Sequence, residues 1–518
     1  MVASARSMEC LRECGTTDRR ACGKEKADSM DSTRQAAETR LEHDVIGTME
    51  IPADVYWGIH TQRAMGNFTV TGIADGSHTA LIRAYATVKR ACAIANYQLG
   101  MLDARKAHHI EQACLEIENG ALADQFPVDV LQGGAGTSLN MNMNEVIANR
   151  ALELAGKPRG DYGYIHPNDD VNRSQSTNDT YPAACRLAIL QGLKPLREAT
   201  QRLREAFHMQ ADRHSNDIKI GRTQLQDAVP MTYGQEIHAW ASFLATDLEA
   251  MNTLARRLCV FNLGATAIGT GICADLRFRH TATTVLAEIT DLPITAASDP
   301  VAAVTDTSSY IEASAVLKNL AVHLKKAADD LRLLNSGPRC GFGDLTVPPR
   351  QAGSSIMPGK INPVIPECVD QCCFTIFGMD VTVNWACAEG QLQLNAFDPL
   401  IIHEILTAMT IAINAMDMFR TKCVDGLRIN VEQGRRDAEM SPSICAALNG
   451  KIGYEQAMNI AKEAVATGKS VREVAGERTD IDRTELDSLL DIAAMSRKLG
   501  QTCRDVDADG NVISPTTD

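Results

Sequence analysis

The stretch Glu312–Asn335 constrains this chain more than any other. Leu317, Leu320, Leu324, Ala327, Ala328, Leu331 and Leu334 recur at three- and four-residue spacing, while Lys318, Lys325, Asp329 and Arg332 fall on other faces. Gly337-Pro338 then ends the pattern, as helix-stop chemistry requires. Comparable helical stretches run over about 79–99, 181–212, 232–260 and 400–425. Helices this long must bury their stripes against one another or against other subunits, which points to a bundle. Convincing β alternation is scarce, and no repeat of 20–50 residues is present. Only the region between about Leu41 and Gly72 reads as mixed, with Pro52 and Gly58 marking turns. The fold class is mainly α.

Charge and composition remove several functional classes. A formal net charge of −14 over 518 residues opposes nucleic acid or an anionic membrane as the main partner. The longest uncharged stretch, Leu258–Ala274, falls short of the roughly 20 residues a bilayer requires, so no membrane span is expected. Near the N-terminus, Arg6, Glu9, Arg12 and Glu13 break up any secretory apolar core. Residues 1–40 mix both charge signs, unlike an acidic-poor transit peptide, and read as a disordered extension.

The sixteen cysteines mostly sit in apolar runs, such as Cys92, Cys185, Cys259 and Cys445, where a thiol serves as a small hydrophobe. Cys368, Cys372, Cys373 and Cys387 lack paired zinc-ligand spacing. No metal site is expected, and the compartment reads as reducing and cytoplasmic. Asp505, Asp507, Asp509 and Gly510 match half of a calcium loop, but Thr516 stands where its glutamate belongs.

Four polar, glycine-rich segments lie between the helices. In Gln132–Asn144, a glycine turn precedes a helix, with Thr137 or Ser138 as the expected N-cap. In His166–Asp179, Ser176 and Asp179 fit a capping box, but Pro182 belongs in a first turn. That moves the expected helix start to about Thr180 and leaves Ser176, Thr177 and Asn178 as uncommitted donors. Arg222–Asp227 reads as a solvated connection between helices. Gly353–Pro363 fixes its backbone with two glycines and two prolines and crowds in Ser354, Ser355, Lys360 and Asn362, which suits a mobile loop closing on a ligand.

Gly353–Pro363 (GSSIMPGKINP) resembles the signature loop of the aspartase/fumarase superfamily of lyases. GGAGTSLNMNMNEV, HPNDDVNRSQSTND, GRTQLQDAVPMTYGQE and NLGATAIGTG resemble the same superfamily in the same order, from about Leu41 to Gly500. Gln224, where fumarases typically carry histidine, and Ala135, where they carry serine, resemble the ammonia-lyase branch. DQFPVDVLQGGAGTS and AEGQLQLN do likewise, whereas Gly359 and ALNGKIGYEQA are fumarase-like.

The resemblance implies a three-domain fold (41–176, 177–432 and 433–500, then a tail 501–518). It implies a homotetramer with a 20-helix core, each pocket being completed by three subunits. It further implies anti elimination of ammonia from L-aspartate to give fumarate. Ser354 would be the general base, with Thr137, Ser176, Thr177 and Ser355 as donors to the doubly charged aci-carboxylate. Lys360, Asn362 and Thr223 would hold the α-carboxylate, with Met357 also at the substrate. Asn178 and Gln224 would face the amino group, with Glu367 behind Gln224. His166, in an HPND segment that forms a secondary anion site in fumarases, has no assigned part. No organic cofactor is implied, and divalent-metal activation is not readable. A fumarate hydratase and a non-catalytic homologue are the alternatives.

Overall fold

The computed structural model describes residues 38–497. Residues 1–37 of the expected extension, the tail after 500 and the rejected calcium-loop segment lie outside the described residues. The chain opens with a hairpin, β1 (Thr39–His43) and β2 (Thr48–Pro52), so regular structure begins inside the stretch expected to be disordered. Helices α1 (Ile59–Asn67), α2 (Thr79–Gln98), α3 (Ala104–Glu118) and α4 (Thr137–Leu154) follow.

The centre is a bundle of five long helices: α5 (Thr177–Arg213), α6 (Tyr233–Leu258), then, beyond the short α7 (Phe278–Thr290) and α8 (Pro300–Thr305), α9 (Ser308–Leu334), α10 (Val364–Ala388) and α11 (Asp398–Lys422). The apolar stripe of α9 is buried as its spacing requires, with Leu317, Leu320, Leu324 and Leu331 at most 3% exposed. Each such side chain contributes about 1.5–3 kcal/mol by leaving water.

The ends of the bundle matter most for function. Gly234 N–H donates to the His214 carbonyl, so α6 starts where α5 ends. Trp240 of α6 donates to Asp330 of α9 at 3.2 Å, which places the end of α9 beside the start of α6. Arg332 pairs with Asp370, and Ser314 with Asp380, so α10 runs antiparallel to α9 and starts at that same end. The N-terminus of α5 is therefore at one end of the bundle. The loop before α10 is at the other.

Between α5 and α6 lies a hairpin, β3 (Ile218–Thr223) and β4 (Gln226–Thr232), where sequence suggested a plain connection. Its Ile218 and Ile220 join a second, smaller core with Ala438, Ile444, Leu448, Val471 and Val474. One helix among the described residues, α11, is long and apolar enough to cross a bilayer, which composition had not suggested. Its Ile401, Ile405, Ala412, Met416 and Phe419 are buried in the bundle core.

Candidate active site

The segment Gly353–Asn362 closes on itself. Gly353 N–H donates to the Lys360 carbonyl at 2.8 Å, and Asn362 Nδ2 to the Gly353 carbonyl at 2.9 Å. A Cβ on Gly353 would sit 2.5 Å from the Lys360 oxygen, so only glycine allows the closure. Inside this ring, Ser354 Oγ accepts the N–H groups of Met357 (2.9 Å) and Ile356 (3.2 Å). Two amides aimed at one hydroxyl oxygen favour its anionic form, as a serine base requires. The Lys360 ammonium makes no ion pair or hydrogen bond among the described residues, and Ser355 is also uncommitted. One Asn362 N–H is spent on the ring, which leaves the second N–H and Oδ1 for a ligand. Lys360, Asn362 and Glu367 line a cavity of about 900 Å³ with Arg332, Asn335 and Asn430. Ile356 and Met357 project at the tip, 83% and 50% exposed.

A second constellation sits where α4 and α5 begin. Helix α5 starts at Thr177, three residues earlier than expected, because the capping box forms. Ser176 Oγ accepts the Asn178 N–H at 3.2 Å, and the Asp179 carboxylate accepts the Ser176 N–H at 3.1 Å. Pro182, at the sixth helical position, removes the donor for the Asn178 carbonyl and crowds that carbonyl, and the helix nonetheless starts before it. Asp179 also takes the N–H groups of Gly264 (3.1 Å) and Thr266 (2.8 Å), tying down the Asn262–Gly269 loop. Burial pushes its pKa up to about 6. Ser176 thus caps and still keeps its hydroxyl proton for another acceptor.

Thr177 Oγ1 accepts from Asn140 Nδ2 at 3.0 Å, which likewise frees its proton and joins α4 to α5. Asn178 Nδ2 donates to the Ala267 carbonyl at 2.8 Å, leaving Oδ1 as the acceptor an ammonium would need. Thr137 is the first helical residue and not the cap; the cap is Gly136, at φ +85° against the Tyr181 ring. The Thr137 hydroxyl donates to the Gly134 carbonyl at 2.8 Å, so it must rotate to serve as a ligand donor. His166 Nδ1 accepts the Asn168 and Asp169 N–H groups at 3.1 Å each, a cap for the single turn Pro167–Val171.

Thr223 ends β3, and Gln224 follows it in the exposed turn. Gln224 and Leu225 both have positive φ (+54° and +63°), the backbone of a two-residue hairpin turn that ordinarily selects asparagine and glycine. Among the described residues the Thr223 and Gln224 side chains make no hydrogen bonds, and none joins Gln224 to Glu367.

Sequence reasoning missed the groups behind these ligands: Asn140, Asn172, Tyr85 and Lys89. The signal was a lysine inside the largely apolar stretch Leu81–Ala95 and four asparagines among the buried residues of α4.

The structure brings Ser176, Thr177 and Asn178 together next to Thr137 at one end of α5. It brings Thr223, Gln224 and the Ser354 loop to the other. The 37 residues of α5 separate these ends by about 55 Å at about 1.5 Å per residue. One chain cannot assemble all of the candidate residues around one substrate.

Two family models match the chain, "Lyase" over residues 47–378 and "Fumarase C C-terminus" over 444–497. Aspartate ammonia-lyase of Pseudomonas aeruginosa is 47% identical over 88% of this chain and 96% of its own length. That of Escherichia coli is 44% identical over 88% and 95%. Among solved structures, a cobalt-bound fumarate lyase:delta crystallin from Brucella melitensis superposes with TM-score 0.86 at 49% identity, covering 89% of this chain and all of its own. A class II fumarase from Schistosoma mansoni superposes with TM-score 0.86 at 31% identity, covering 89% and 99%. With the serine loop, the capped α5 terminus and the long-helix bundle in place, the chain belongs to the aspartase/fumarase family of lyases.

Proposed function

We propose that the chain is an aspartate ammonia-lyase that eliminates ammonia from L-aspartate to give fumarate. The observation that carries this reading is the Ser354 hydroxyl, held by the Met357 and Ile356 amides in one loop with Lys360, whose ammonium pairs with none of the described residues. The relatives at 44–47% identity that bear the aspartate ammonia-lyase name support the substrate.

Ser354 removes a proton from the carbon beside the β-carboxylate. That carboxylate then carries a second negative charge, which Ser176, Thr177, Ser355 and a rotated Thr137 hydroxyl receive. Lys360, Asn362 and Thr223 hold the α-carboxylate, and Met357 packs at the substrate. Asn178 Oδ1 and Gln224 receive the ammonium before the carbon–nitrogen bond breaks, with Glu367 behind Gln224. Local stabilisation of charge by chain donors accounts for each step, so the reaction is assigned no organic cofactor. Among the described residues, no group of three or more His, Cys, Asp or Glu side chains is arranged to hold a metal.

The working enzyme is a homotetramer. Two observations support this: the opposite placement of the two constellations, and an apolar face of α10 left open to solvent. Phe374, Val381 and Trp385 are 55%, 57% and 68% exposed there. Free thiols at all twelve described cysteines support a cytoplasmic setting.

The reading is tested by following fumarate absorbance with L-aspartate and L-malate supplied separately. Fumarate and ammonia from aspartate alone support it. Fumarate from malate alone makes the protein a hydratase, and silence with both from a folded oligomer leaves a non-catalytic homologue.

A further inference from the structure

Lys89 of α2 is completely buried, and its Nζ donates to Asn172 Oδ1 (2.8 Å) and Gln175 Oε1 (3.0 Å). It makes no ion pair among the described residues, and the Tyr85 ring lies 5.4 Å from it. An ammonium hydrogen-bonded in the interior only to neutral acceptors is costly to bury. The ionisable groups around it are Tyr85 and Cys92 on α2, Cys114 on α3 and Asp179 on α5. Burial pushes the tyrosine and both thiols up, so they stay neutral. Asp179 takes three backbone N–H groups and makes no direct bond to Lys89, although each favours the other's charged form. Burial pulls Lys89 itself down to about 8, which leaves it cationic at neutral pH.

What connects to Lys89 is the candidate site. Asn172 Oδ1 also accepts from Asn140 Nδ2 (3.3 Å) and Asn144 Nδ2 (3.2 Å). Asn140 Nδ2 donates in turn to Thr177 Oγ1 (3.0 Å), while Tyr85 OH donates to Asn140 Oδ1 (2.7 Å) and fixes that amide. A relay thus runs from Lys89 through Asn172 and Asn140 to a hydroxyl proposed to receive the aci-carboxylate. The cation draws on the Asn172 oxygen that Asn140 also uses, so Asn140 gives less to Asn172 and more to Thr177 Oγ1, and Thr177 is left a stronger donor with its proton directed away from Asn140.

We propose that Lys89 is a positioning residue of the elimination, a buried cation that acts through Asn172 and Asn140 on Thr177 and favours the doubly charged intermediate over the ground-state substrate. The proposal rests on the aspartase reading above. It assigns Lys89 a stronger effect on kcat than on substrate binding, because its charge matters most when the second negative charge appears.

The test uses the full-length oligomer and two ligands, succinate, which mimics the ground state, and ionised 3-nitropropionate, whose nitronate mimics the aci-carboxylate. In Lys89→Met, kcat for L-aspartate is expected to fall about 30-fold or more, with KM and succinate affinity changed less than about threefold. Nitronate affinity should fall in parallel with kcat. Asn172→Ser leaves the ammonium on Gln175 but cuts the relay, and it should reproduce the selective loss of nitronate affinity even if Lys89→Met does not fold.

Equal losses for succinate and nitronate, or retention of the nitronate preference in either variant, overturn the proposal and leave Lys89 a packing residue. Wild-type protein that neither turns over aspartate nor prefers the nitronate overturns the aspartase reading itself, and Lys89's part with it.

Discussion

Ser354 Oγ accepts the Met357 N–H at 2.9 Å, so the proposed base is held by an amide three residues further along its own loop. The bond needs no other part of the fold, because the Gly353–Lys360 and Asn362–Gly353 contacts shape the loop. Ser354→Ala should therefore leave folding intact and lower kcat by about 10²–10⁴-fold, the usual worth of a positioned base. Steady-state kinetics on a variant with native circular dichroism decides it, and near-normal turnover removes Ser354 from the role.

The turn at Gln224 and Leu225 places two ordinary side chains in the left-handed region, at a cost of about 1–2 kcal/mol each. Strain of this kind persists where the side chain is needed. Gln224→Gly and Leu225→Gly should each raise stability by about 1 kcal/mol in urea unfolding, after allowing for the freer unfolded chain. Only Gln224→Gly should depress kcat/KM for aspartate. Equal kinetic effects from both would show that the turn's shape, and not the Gln224 amide, is what matters.

How much of this was legible in the sequence follows from where each signal resides. Helix α9 could be read because its apolar stripe contrasts with its charged faces. Helix α10 could not, since Phe374, Val381 and Trp385 cover its outer face while Val369, Cys373, Ile376 and Val383 cover the inner one, erasing the periodicity. The β3–β4 hairpin was hidden because its turn is Gln-Leu and Pro230 sits within β4. The Ser354 loop was legible as a pattern, but the direction of its amides was not. The Lys89–Asn172–Asn140–Thr177 relay spans three distant segments, and only tertiary packing brings them together. Pro182 misled the placement of the α5 start, because the capping box at Ser176 and Asp179 starts the helix upstream of the proline despite the hydrogen bond it removes.

Buried carboxyls set a pH dependence of stability. Burial raises Asp75 to about 8 and both Asp398 and Glu145 to about 7. The folded state then holds protons that the unfolded chain has released. Their stabilising contribution is full below the unfolded carboxylate values of 3.8–4.5 and is lost as pH rises through about 7 to 8. His78, lowered by burial to about 4, acts in the opposite sense only below 6.5, and Lys89 only above about 8. Thermal midpoints should therefore fall between about pH 6.5 and 8. Asp75→Asn, which keeps an acceptor for Gln132, should flatten that fall. A midpoint that rises over this interval, or an unchanged slope in Asp75→Asn, contradicts the assignment.

The opposite placement of the two constellations makes a prediction about mixed oligomers. Thr177 and Ser354 lie at opposite ends of a bundle whose α5 alone is about 55 Å long at about 1.5 Å per residue, so a working pocket must take them from different chains. Thr177→Ala and Ser354→Ala should each be nearly inactive as homo-oligomers. When the two are unfolded together in equal amounts and refolded, some pockets receive a native Thr177 from one chain and a native Ser354 from another. Random assembly then restores about a quarter of wild-type activity, because each pocket draws both residues independently. Mixing the folded variants without subunit exchange should restore nothing. If co-refolded oligomers of wild-type size stay inactive, both residues come from one chain, and the reading of the two ends as halves of one pocket is wrong.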